Sequence, residues 1–301
     1  MTVLWIVLAL VLALLISFVV ELYKFMFCRC NSKLFTLLFD KKGHEDNYYI
    51  VRDKANEDFK NQPCERIEMK SERGEKLKGF YFDNGAEGKK IAFIIHGYRQ
   101  DHIEVGGFFY KFYKDRNIDI FCCDHTASGE SEGHFIGFDV FEHKDCLKWL
   151  DYIIERFGED TQIILHGFSM GAATVMQMSG HCPKNVKFII EDSGFENAKA
   201  SLGHQVGPLY NPVRYLNKLI AKYDIEDSDV TSSLKKSKIP MLFVHGKDDK
   251  LVPAVNGPKL YEFYEGEKDC LFMPNTRHIE TMYTSPKEYS EKIDSFIEKY
   301  M

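Results

Sequence analysis

Apolar positions follow two rhythms along the chain. Residues 3–20 form an uncharged apolar run in which only Trp5 and Ser17 carry polar atoms, and Leu22, Phe25 and Phe27 extend it past Glu21. As a helix, such a run rises about 27 Å, close to the thickness of a bilayer's hydrocarbon core. From Ile67 onward the rhythm shortens. Runs at 77–82, 91–95, 118–123, 162–165, 186–190, 241–244 and 270–273 are rich in β-branched and aromatic residues, and most end at Gly, Asp or Pro. Short apolar runs with this punctuation predict buried parallel strands.

Helical spacing fills the intervals. Leu147, Leu150, Ile154 and Phe157 recur three or four residues apart and make one apolar face. Residues 169–180 are rich in Ala and Met. Ile293, Phe296 and Ile297 mark a terminal helix that starts near Ser285-Pro286, a pairing suited to a helix N-terminus. Strands alternating with helices predict an α/β fold, a mostly parallel sheet with helices on both faces. The alternation stops at about 195–238, where Gly203, Gly207, Pro208 and Pro212 precede an amphipathic stretch at 213–223. This predicts a small helical cap over the strand ends. The expected organisation is an anchor at 1–26, a polar linker at 27–58 and a catalytic-type domain at 59–301.

The flanks of the apolar run decide its reading. No Lys or Arg precedes it and no small-x-small cleavage site follows it, so an uncleaved transmembrane anchor is expected rather than a signal peptide. Lys24, Arg29, Lys33, Lys41 and Lys42 follow it, which predicts that the domain lies on the cytoplasmic face of the membrane. Eight cysteines are scattered through apolar patterns, and Cys28 and Cys30 have no second pair at zinc-site spacing. Neither a metal nor another cofactor is expected. Adjacent Cys122 and Cys123 should point to opposite sides of a strand, as reduced buried thiols in a reducing compartment would. A net charge of −6 offers no basic surplus for nucleic acid.

The chemistry concentrates at Gly167-Phe168-Ser169-Met170-Gly171. The pattern is short, but a strand runs into it and a helix runs out. That is the arrangement that exposes a serine on a sharp turn as a nucleophile. A serine needs a base, and the base an orienting acid, in the chain order Ser, Asp or Glu, His. Asp248 and Asp249 both follow the 241–244 strand, and Asp192 ends another strand, so the acid stays open among the three. His278 is the histidine beyond the last strand. Oxyanion donors are expected from the backbone N–H of Met170 and, after the 91–95 strand, of Tyr98. His96 and His245 read as turn residues, and the aromatic group Phe108, Phe109, Tyr110, Phe112 and Tyr113 reads as a helix core face or an acyl pocket.

These motifs resemble bacterial α/β hydrolases of the serine-aminopeptidase-like and prolyl-oligopeptidase-like kind, membrane-anchored esterases of Gram-positive bacteria. The likeness runs from about Ile67 to Tyr300 and includes 93–98, 128–133, 166–171, 192–195, 243–253 and 277–289. It implies Ser169 as nucleophile, Asp249 as acid and His278 as base. One departure is clear. The family's Asp-x-Arg-Gly-x-Gly-x-Ser-x-Gly turn reads here with Thr126-Ala127 in place of Arg-Gly. The resemblance implies a serine hydrolase that cleaves a small acyl ester. Thioesterase, peptidase and acyltransferase chemistry share the machinery, and a membrane-tethered binding protein without catalysis is the rival from another class. The sequence does not set the oligomeric state.

Overall fold

The computed structural model describes residues 1–29 and 47–301. The middle of the expected linker and Cys30 lie outside the described residues. Eight strands form one sheet in the order β1-β2-β4-β3-β5-β6-β7-β8. The strands are β1 (Glu65–Lys70), β2 (Lys76–Phe82), β3 (Lys90–Ile95), β4 (Asp119–Asp124), β5 (Gln162–Phe168), β6 (Val186–Asp192), β7 (Met241–Gly246) and β8 (Lys268–Met273). From β4 across to β8 all pairings are parallel, while β1 and β2 pair antiparallel at one edge. The expected sheet is therefore present. β1 is the strand that its sequence, Glu-Arg-Ile-Glu-Met-Lys, conceals. As an edge strand it needs few apolar residues, so it lacks the run that marks its neighbours.

Helices cover both faces. α1 (Thr2–Phe27), α2 (Asn47–Lys60), α3 (His102–Lys114), α4 (Glu142–Phe157), α5 (Met170–Met178) and α11 (Pro286–Tyr300) are joined by α9 (Asn256–Phe263) and the short α10 (Thr281–Thr284). The expected cap is a helical insertion comprising α6 (Ala198–Val206), α7 (Tyr210–Ile220) and α8 (Thr231–Lys236). Alternation along β4 splits the core in two. Cys123 packs with α4 and α5 on one side, and Cys122 packs with α3 and α11 on the other. The seven described cysteines are all free.

The second half of the expected linker is not a loose tether. Residues 47–60 form α2, which lies on α3. Phe59 is buried at 1% exposure, with its ring 4.4 Å from that of Phe82 and 5.3 Å from that of Tyr110. The polar composition of α2 hid it, because only Tyr48 and Phe59 of the helix are buried. Phe59→Ala is expected to cost about 3–5 kcal/mol, read as a lower midpoint in urea unfolding of the detergent-solubilised protein.

Candidate active site

The turn between β5 and α5 places Ser169 at φ 54° and ψ −112°. A non-glycine residue there costs roughly 1–3 kcal/mol, so the surroundings must impose it. They do so by close backbone passage. A Cβ at Gly167 would lie 2.1 Å from the Gly171 carbonyl oxygen, and a Cβ at Gly171 would lie 2.2 Å from that of Ile95. The Ser169 amide donates to the Asp192 carbonyl at 2.8 Å. Ser169 stands at the N-terminus of α5, where helix-dipole charge favours a developing anion.

The loop after β3 lies against this turn. The position of a Cβ on Gly97 is 3.1 Å from Ser169 Cβ, and the Gly97 amide donates to Gln100 Oε1 at 3.0 Å. Tyr98 is next in the chain. His96 is fully buried, with Nδ1 2.7 Å from the Gly97 carbonyl and Nε2 accepting from the His125 amide at 3.0 Å. It is a brace for the turn.

Of the three acid candidates, Asp249 meets the histidine. His278 Nδ1 lies 2.6 Å from Asp249 Oδ2, while Asp249 Oδ1 accepts from the amides of Leu251 and Val252 at 2.9 Å each. Burial opposes charge on Asp249, but hydrogen bonds from His245 and His278 outweigh it and hold the carboxyl well below its usual range. His245 Nε2 stands 3.3 Å from the same Oδ2. Reading His245 as a turn residue missed this second contact. Its signal was the four-residue spacing to Asp249 across a strand-end glycine. Asp248 is exposed beside the cleft. Among the described residues, no hydrogen bond joins Ser169 Oγ to His278.

Asp192 serves under the site. Ser193 Oγ donates to it at 2.8 Å and Tyr289 Oη at 3.0 Å, and the Ile279 amide, next to His278, donates to Ser193 Oγ at 3.3 Å. The chain continues inward, with His166 Nε2 3.0 Å from Tyr289 Oη and His166 Nδ1 2.9 Å from Tyr113 Oη. Burial pushes Asp192 up to about 6 and His166 down to about 3, so His166 is neutral inside the core. This network ties β5, β6, α3 and α11 to the loop that carries His278.

A cleft of about 760 Å³ opens at His278, lined by Gln100, Asp248 and Leu251 and, from α2, by Tyr48 and Arg52. The aromatic group is mostly helix core. Phe109, Phe112 and Tyr113 are core, while Phe108 stacks on Tyr48 with centroids 5.8 Å apart and lines a narrow apolar pit with Phe168 and Ile279. The departing turn after β4 holds Ala127 at φ 65°, a conformation that favours the family's glycine, and Arg29 reaches in to donate to the carbonyls of Ser131 and Gly129. Cys123, His125 and Cys146 bring three ligand atoms within 4.8 Å of one another in the core. Burial raises the Cys146 thiol well above its ordinary range, which opposes the thiolate that a metal would need.

Asp192 yields a sign that can be tested. Its folded value is raised from about 4 in the unfolded chain, so the native state holds more protons across roughly pH 4–6, and stability falls as pH rises through that window. Relative to Asp192→Asn, the wild type is expected to lose on the order of 2 kcal/mol between pH 4 and 6.5, read from denaturant unfolding across a pH series.

The chain is similar to known proteins over most of its length. Residues 86–222 match the family model described as serine aminopeptidase, S33. That span includes Ser169 and ends before Asp249 and His278. The uncharacterized protein YqkD of Bacillus subtilis (strain 168) is 24% identical over 87% of this chain and 90% of its own length. The alpha/beta hydrolase domain-containing protein WAV2 of Arabidopsis thaliana is 24% identical over 60% of this chain and 61% of its own. The Pyrococcus furiosus esterase Pf2001 superposes with a TM-score of 0.64 at 20% identity, covering 81% of this chain and 93% of that one. Sheet order, the strained serine turn and these likenesses agree on an α/β-hydrolase fold, and the chain is similar to the serine-aminopeptidase family across its middle.

Proposed function

We propose that this protein is a membrane-anchored serine hydrolase that cleaves carboxylic esters through an acyl-enzyme. The observation that carries the reading is the strained Ser169 turn at the same end of the sheet as the Asp249–His278 pair. In this reading His278 takes the Ser169 proton as Oγ attacks the ester carbonyl. The backbone N–H groups of Met170 and Tyr98 receive the oxyanion. His278 then gives its proton to the departing alcohol. Water, deprotonated by His278, attacks the acyl-enzyme, releases the carboxylic acid and restores Ser169. Asp249 holds His278 in the tautomer with the proton on Nδ1, and its two amide hydrogen bonds keep the carboxylate fixed while it does so.

The esterase likeness of the solved neighbour supports the ester over the other acyl chemistries. The family model's description names an aminopeptidase, and Asp248 and Glu280 beside the cleft are carboxylates that could meet a free amine. Aminoacyl p-nitroanilides therefore belong in the substrate panel. α1 is long and apolar enough to cross a membrane by length and composition. Basic residues on its C-terminal side, together with free thiols, support an uncleaved anchor with the domain on the cytoplasmic face.

Ser169→Ala is expected to lower turnover of short p-nitrophenyl esters by about 10³-fold or more and to abolish labelling by a fluorophosphonate probe while the unfolding midpoint stays near that of the wild type. Retained turnover would remove Ser169 from the mechanism. Asp249→Asn leaves the shape but disturbs the tautomer of His278, and is expected to reduce kcat by about 10³–10⁴ with a smaller change in KM, measured on the same esters.

A further inference from the structure

The end of α1 is built into the domain. A helix leaves its last four carbonyls without intrahelical donors. Here the domain supplies partners for each carbonyl from Phe25 to Cys28. Tyr98 Oη donates to the carbonyls of Phe25 at 3.1 Å and Met26 at 2.9 Å. The Ile136 amide donates to Phe27 at 2.9 Å. The Arg99 guanidinium donates to the Phe25 carbonyl and, at 2.8 Å, to that of Cys28. A cation there also complements the negative end of the helix dipole. Leu22, Tyr23, Met26 and Phe27 are buried in the same core as β3 and β5, whereas Leu4, Leu14 and Ile16 stand more than half exposed. Apolar residues without a protein partner thus give way to docked ones within about two helical turns, or roughly 10 Å.

Tyr98 belongs both to this capping set and to the proposed oxyanion pair. The reaction site is therefore fixed close to the point where α1 would leave the bilayer. Exposed apolar surface also continues from α1 onto the elements beside it. Among the described residues from Asn47 onward, every exposed large apolar side chain except Phe263 lies on α2, α7 or the loop after Asp249. α2 and that loop line the cleft. α7 packs on α1 with Tyr210 and Val213 inward, and turns Pro212, Tyr215 and Leu219 outward at helical spacing. Tyr215 is 69% exposed and Leu219 54%, and on the loop Leu251 is 48% exposed and Val255 68%. Exposed apolar side chains gathered on a few elements mark a surface that meets a partner or a membrane. A rim that continues the surface of α1, a helix long and apolar enough to cross a membrane, points to the membrane.

We propose that the rim formed by α7 and the 251–255 loop rests on the bilayer, so that the cleft opens onto the lipid and the substrate is an acyl ester resident in the membrane. The inference rests on the serine-hydrolase reading for its chemistry, but the contact with lipid does not. A dissolved ester must reach the mouth through water, whereas an amphiphile can enter sideways with its acyl chain still in apolar surroundings, where each CH₂ kept from water is worth about 0.8 kcal/mol.

Two measurements on the full chain in phosphatidylcholine vesicles test this. In a Trp5→Phe background the remaining native tryptophan, Trp149, is fully buried. Tyr215→Trp then reports from α7, and brominated phosphatidylcholine is expected to reduce the emission added by that residue to about half or less, as it does for side chains at the acyl boundary. Lys292→Trp, on the opposite face, should be unaffected. Emission at 215 that ignores the brominated lipid overturns the proposal, and dimer cross-links at α7 alongside would give that face to a second copy of the chain. In the second measurement, Tyr215→Glu with Leu219→Glu is expected to slow hydrolysis of p-nitrophenyl palmitate carried in the vesicles by about tenfold while hydrolysis of dissolved p-nitrophenyl butyrate holds within about twofold. Equal loss on both esters, or loss on neither, overturns the lipid-substrate assignment. Turnover retained by Ser169→Ala would sink the nucleophile instead and leave the quenching result standing.

Discussion

The backbone collision avoided at Gly167 and Gly171 is the constraint on which the rest of the site depends. With no side chain at either position, β5 can reverse into α5 while passing within van der Waals reach of the end of β3. That passage does two things at once. It holds Ser169 at a positive φ, and it brings the His96–Tyr98 loop against the serine. The candidate nucleophile and the candidate oxyanion donors are therefore consequences of one packing event between parallel strands, and neither can be repositioned without the other.

Around that turn, two buried aspartates are held by different sets of partners. Asp249 accepts two backbone amides and faces two histidines, so its charge is sustained inside the fold. Asp192 receives two hydroxyls and no cation in hydrogen-bond contact, and burial drives it toward the neutral form. Two aspartates at the ends of neighbouring strands are thereby pushed in opposite directions. The charged one meets His278, and the other is linked through Ser193 to the loop that carries that histidine.

The helix preceding the domain extends the same economy outward. Its terminal carbonyls are satisfied by Tyr98, Arg99 and Ile136, the first two from the loop that lies against the serine. Arg99 holds a left-handed backbone at φ 57° immediately after Tyr98. Arg29 reaches from just beyond the helix into the turn after β4. The apolar helix and the loop beside Ser169 thus share hydrogen bonds, which a flexible tether would not provide.

Much of this was legible in the order of residues. Continuous apolar runs ending at Gly or Asp marked the buried parallel strands, because burial on both faces removes the need for polar alternation. Ser169 stood out because a strand, a glycine-flanked turn and a helix are all local features, and His278 because few histidines follow the last acid. The sequence could not choose among Asp192, Asp248 and Asp249, since which carboxylate reaches a histidine 29 residues away depends on how β7 and β8 pair. It hid β1 and α2, whose burial is too slight to leave a periodic trace, and it marked His245 beside Asp249 only by a four-residue spacing that does not say which atoms meet. Nor could it show that the end of α1 is capped by residues more than seventy positions on. Local chemistry and periodicity are written along the chain. Contacts between distant segments are settled only when the sheet closes and each buried polar group must find a partner.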